Sequence, residues 1–159
     1  MSAEVSGIAE LASLLWRERE ILERVLFKIV EQQLLVAAGE TRWLSAANRE
    51  VEAAVHDLRR CEVERAVEVD AVAERLGLGP GQTLAALADA APEPWDEILR
   101  EHRTAVSDLA SQLDVASKEA RRLLDAGGRA VQEALRDLGA GDGPATSTEP
   151  HVSRLDQRA

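Results

Sequence analysis

Tyrosine is absent, phenylalanine occurs once and aromatics make up 3% of the chain, so neither an aromatic-lined pocket nor an aromatic-rich sheet core is well supplied. The apolar 45% is mostly Ala, Leu and Val, which suits close packing between helices. Cysteine also occurs once, at Cys61, which excludes an intramolecular disulfide and a cysteine-rich zinc site; a lone thiol within a helical stripe reads as core. No apolar run approaches the ~18 residues of a spanning helix, and the N-terminus lacks a basic segment followed by an apolar one. A cytoplasmic protein without membrane insertion is therefore expected.

Basic patches are missing too. The net charge is −10, from 29 acidic and 19 basic residues, and the resulting field repels nucleic-acid phosphates and anionic lipid. Pairs such as Arg59-Arg60 and Arg121-Arg122 have acids close by in sequence and read as solvated helix faces, so no nucleic-acid partner is expected.

Catalytic and metal signatures are equally scarce. A di-iron bundle needs Glu-x-x-His, but His56, His102 and His151 have Ala53, Leu99 and Thr148 three positions earlier. Gly77 to Gly81 lacks the Lys-Ser/Thr that a phosphate loop requires, and no H-E-x-x-H or G-x-S-x-G occurs. Single carboxylates beside arginines on helix faces are ordinarily solvating. No catalytic, cofactor-binding or metal residue is assigned, and the chain is not expected to be an enzyme.

Helical periodicity is abundant. From about residue 4 to 38, Ile8, Leu11, Leu15, Leu22, Val25, Ile29 and Val36 recur at alternating three- and four-residue steps. Glu18 and Gln32 interrupt this seam, while Leu14, Ile21, Leu26 and Leu34 are expected to widen it enough to face two partner helices. Gly39 suits a left-handed helix end, with Thr41 as the next cap. A second helix is expected over about 42–76, unbroken through its polar middle from Glu62 to Glu68. Leu76-Gly77-Leu78-Gly79-Pro80-Gly81 ends it. Thr83 then caps a short helix over 83–90, and a third long helix is expected over about 94–138. Residues 139–159 hold little that is apolar and are expected to be a disordered tail. The fold class is all-α: one domain, residues 1–138, forming an antiparallel three-helix coiled-coil bundle with a long third helix.

The unequal lengths carry an implication. Two helices of roughly 35 residues reach about 50 Å, whereas the third has about 45 residues, so its last turns should overhang from near Gly127-Gly128, a plausible hinge. Beyond that pair, Ala130, Val131, Ala134, Leu135 and Leu138 keep an apolar face that suggests an intermolecular partner. The alternative is that the shorter helices extend further, or that the third frays. Trp16 lies off the seam and is expected to pack over one pole beside Trp95 rather than stand exposed.

The stretches Leu34-Leu35-Val36-Ala37-Ala38-Gly39-Glu40, Glu74-Arg75-Leu76-Gly77-Leu78 and Gly81-Gln82-Thr83-Leu84, in this order, resemble FlgN-type flagellar export chaperones over about Leu11 to Leu138. The resemblance implies a cytoplasmic chaperone that holds the C-terminal helical segments of hook-associated (hook-filament junction) proteins until type III export, consuming no nucleotide and using no cofactor. Components of the flagellar export apparatus are further expected partners, and the protein would be a monomer or homodimer. Client binding by the late third helix carries over to Leu113, Ala116, Ala120, Leu123, Leu124, Val131, Leu135 and Leu138. The pattern departs from the family where a Leu-Asn-x-x-Asn stretch is usual: here it reads Leu113-Asp114-Val115-Ala116-Ser117. The rival readings are another secretion adaptor, a self-associating structural coiled coil, and a cofactor bundle that the ligand spacing disfavours.

Overall fold

A computed structural model describes residues 2–140, and among these every regular element is helical: α1 (Ser2–Ala37), a 3₁₀ turn (Thr41–Trp43), α2 (Leu44–Arg75), α3 (Leu84–Ala90) and α4 (Trp95–Ala140). Helix α4 includes Gly139 and Ala140, two residues the sequence reading gave to the tail; the rest of that expected tail, 141–159, lies outside the described residues. The described residues fall into two units, the first ending at Asp125 and the second beginning at Ala126.

In the first unit, α1 buries its heptad seam as far as Ile29, while Val36 at the end of the seam is half-buried. Ile8, Leu11, Leu15, Leu22, Val25 and Ile29 are all buried, and Ile21 joins them. Partners across α1 and α2 fall in number on one helix as they rise on the other, so the two run antiparallel: Arg17 meets Glu64, Arg24 meets Asp57 at 3.4 Å, and Lys28 meets Glu50 at 2.7 Å. These exposed ion pairs report the register more than they hold it, being worth about 0–1 kcal/mol each. The early part of α4 runs parallel to α1, with His102 against Trp16 and the Gln33 side chain donating to the Ala116 carbonyl at 2.7 Å.

The core is split in two. One cluster gathers Ile8, Leu11 and Leu15 of α1, Val69, Val72 and Ala73 of α2, Leu87 and Ala88 of α3, and Leu99 of α4. The other joins Ile21, Leu22, Val25 and Ile29 to Ala54, Leu58, Cys61 and Ala120, with Val106, Leu109, Leu113 and Ala116 packed against it. Helix α3 closes the first cluster. Its N-cap Thr83 accepts a hydrogen bond from the Ala86 amide at 3.2 Å, and the chain then re-enters helix at Trp95, whose amide donates to the Pro92 carbonyl at 2.9 Å.

Both long-helix ends use glycine for a stated reason. At the end of α1 the Glu40 amide donates to Leu35 and the Gly39 amide to Val36; after α2 the Leu78 amide donates to Ala73 and the Gly77 amide to Glu74. Such a pair of bonds requires a left-handed residue, and Gly39 and Gly77 each have φ of +72°.

Three expectations are corrected. Leu34 does not widen the core: it is exposed, because the α1 face it shares with Phe27 and Val30 turns away from both clusters. Thr41 is no cap, since the chain enters α2 through the 3₁₀ turn and Trp43 stands at the N-cap position without a side-chain bond. Trp16 is 53% exposed and meets His102 edge-on at 5.1 Å with the Arg19 guanidinium 4.1 Å from its ring, whereas Trp95 packs against the first core cluster.

The glycines make a paired test. A Cβ at Gly77 would meet nothing within 4 Å, so Gly77→Ala should cost only the left-handed penalty, about 1–2 kcal/mol, read from urea unfolding. Gly127→Ala, inside α4 with the same open space, should instead raise helix content measured by circular dichroism.

Candidate functional site

The apolar period of α4 has two fates. Within the first unit, Ala120 is buried, Leu113 and Ala116 are half-buried against the second core cluster, and Leu123 and Leu124 are half-buried. These side chains already have partners in α1 and α2, or partial cover. In the second unit, Val131, Leu135 and Leu138 are 58%, 63% and 74% exposed. Their spacing of four and three residues puts them on one face of the helix, an apolar stripe that water covers at a cost of roughly 25 cal/mol per Å². The eight residues singled out from sequence therefore divide into three that belong to or pack against a core (Leu113, Ala116, Ala120), two that are half-buried (Leu123, Leu124) and three on an open face (Val131, Leu135, Leu138). Helix α4 continues through Gly127-Gly128 without a break.

Sequence reasoning missed two features. One is the exposed stripe Phe27, Val30 and Leu34 on α1. The second is a polar layer between the two core clusters, to which each long helix contributes. Glu18 of α1 is 2% exposed, with Oε2 3.1 Å from Nε of Arg65 on α2; His102 of α4 is 2% exposed, with Nδ1 3.4 Å from a guanidinium nitrogen of Arg19. Glu18 Oε2, Arg65 Nε, Arg19 Nε and Glu68 Oε1 are buried without a hydrogen-bond partner. The seam's other interruption, Gln32, is matched by Asn48 of α2, to which its side-chain amide donates. The signal available in sequence was the pair of interruptions itself; their partners on α2 could not be read from spacing.

Burial pushes the Glu18 carboxyl above the ordinary 4.5, opposed by the Arg65 charge and helped by Glu62. Burial also pushes the His102 imidazole below 6.5, with Arg19 adding to the effect and Glu101 opposing it. Neither group stands with others in a metal-holding set: among the described residues no three His, Cys, Asp or Glu side chains are so grouped. The grooves on this surface are open, one lying between α1 and α2 along Ser6, Ala9, Ser13 and Glu64. Among the described residues no helix is long and apolar enough to cross a membrane.

The two displaced groups act on stability in opposite senses. His102, depressed in the folded state, contributes stability that is complete above 6.5 and lost as pH falls through its folded value. Glu18, raised, contributes stability that is present below 4.5 and lost as pH rises through its folded value. Urea midpoints followed from pH 7.5 down to about 5 should therefore fall less for His102→Leu than for the natural protein, and more for Glu18→Gln.

Compared with known proteins, the chain matches a family model described as FlgN protein over residues 1–148. No curated protein and no solved structure matches it.

Proposed function

We propose, for a chain that belongs to the FlgN family, that the exposed stripe on the C-terminal part of α4 holds the amphipathic C-terminal helix of a hook-associated protein before export. The family is one of flagellar export chaperones. The observation that carries the proposal is the stripe itself: Val131, Leu135 and Leu138 form an open apolar face on a helix that places its earlier apolar residues in a core. A client helix that would otherwise self-assemble lays its own apolar face there, and burial supplies the affinity. At about 25 cal/mol per Å², ~1,000 Å² of apolar area, counted over the client and the chaperone together with Leu123 and Leu124 included, grosses ~25 kcal/mol, most of it offset by the cost of ordering and association, so binding near micromolar is expected. Release to the type III apparatus requires no tighter grip.

In this reading the helices up to Asp125 form an antiparallel three-helix bundle that serves as the scaffold, the protein works in the cytoplasm, and it performs no chemistry. Leu123 and Leu124 are secondary contributors. Leu113, Ala116 and Ala120 support the helix from within the core.

Titration with the C-terminal segment of a hook-associated protein from the same cell tests the proposal. Saturable 1:1 binding is expected, weakened at least tenfold by Leu135→Asp/Leu138→Asp with helix content kept. No binding by the natural chain sinks the client assignment, and binding that survives the double substitution moves the site elsewhere. A mass that rises with concentration, and is reduced to that of one chain by the same substitutions, would instead make the stripe a self-association surface.

A further inference from the structure

The buried residues of the two core clusters are separated at one level, where the polar layer lies, with half-buried Leu14 packed against the second cluster beside it. Leu15, Val69 and Leu99 border it on the α3 side, and Ile21, Cys61 and Val106 on the Gly39 side. Every buried side-chain atom without a hydrogen-bond partner among the described residues belongs to Glu18, Arg19, Arg65 or Glu68, all within this zone. An opening that starts at the Gly39 end gives up apolar burial until it reaches the layer. It then regains solvation for one buried atom each of Glu18, Arg19, Arg65 and Glu68 that the closed state leaves without a hydrogen-bond partner, although Glu18 and Arg65 are ion-paired. Going further exposes Ile8, Leu11, Leu15, Leu87 and Leu99, all completely buried and held from a fourth side by α3. The layer is thus where an opening stops gaining exposed apolar area and starts regaining hydration.

From this we propose that the bundle opens in two stages, the half between the Gly39 turn and the polar layer unfolding as a unit while the α3-capped half stays closed. The Gly39 half is the weaker one because α3 does not cover it and Leu58 is the one large buried side chain that α2 and α4 give it beside Ala54, Cys61 and Ala120, whereas Val69, Val72, Leu87 and Leu99 are buried across the layer beside Ala73 and Ala88. Leu113, Ala116 and Ala120 become accessible in the open form and are covered in the closed one.

Native-state hydrogen exchange at low urea tests this on the natural chain. Amides of Leu22–Ile29 and Ala54–Cys61 should exchange at least tenfold faster than those of Leu11–Leu15 and Val69–Ala73. Ile29→Ala should accelerate the first group and leave the second unchanged. The triple substitution Glu18→Leu/Arg65→Leu/His102→Leu, which makes the core continuous, should bring both groups to one rate. A single shared rate in the natural chain, or an Ile29→Ala effect spread equally over both groups, overturns the proposal. So does a folded triple variant that keeps two rates.

Discussion

Everything in the first unit is built on one face of α1. That face supplies Ile8, Leu11 and Leu15 to one cluster and Ile21, Leu22, Val25 and Ile29 to the other, and both α2 and the early α4 pack against it. With aromatics at 3% there are few large side chains to close a core in a small volume, so each layer buries little and stability must accumulate along helix length. Long helices are the physical answer to a composition of Leu, Val, Ile and Ala. The same composition explains why the chain can leave apolar residues in water on α4 without collapsing around them: three aliphatic side chains on one face hold far less apolar area than an aromatic cluster would.

How much of this was legible beforehand depended on how local the cause was. The α1 seam was legible because a heptad depends on neighbours three and four positions away. Gly39 and Gly77 were legible because the left-handed region excludes nearly everything else. Leu34 was misread because nothing in its own turn distinguishes a residue facing α2 or α4 from one facing away. Trp16 was misread for a related reason: its nearest partners are Arg19 on its own helix and His102, 86 residues away in sequence. The polar interruptions at Glu18 and Gln32 were visible, but Arg65 and Asn48 become their partners only when the hairpin closes. The face from Leu113 to Leu138 was readable as a single stripe. Its division into covered and open parts was not, since Leu and Ala serve both.

The polar layer has an energetic meaning separate from any function. Glu18 and Arg65 lie 3.1 Å apart without the alignment of a hydrogen bond, so their attraction offsets desolvation incompletely, which is why the carboxyl's proton affinity is raised despite a cation beside it. An apolar residue at that level would be the more stabilising choice. Under the proposed function, in which a helical client is bound and later released, a scaffold that is not maximally tight has a use, and the layer supplies looseness at one defined level rather than everywhere.

Because both clusters draw on α1 in one unbroken helical frame, the chain's tolerance of change is uneven in kind as well as in place. A residue inserted or deleted between Leu15 and Ile21 would rotate one cluster's side chains by about 100° relative to the other's, undoing one core to keep the other. Substitution at those positions disturbs a single layer. In the turn at Gly79–Gly81, by contrast, no side chain is buried in either cluster, and an altered number of residues can be absorbed there before α3 docks on the first cluster. Relatives of this chain should differ in length at that turn and in composition, not length, along α1.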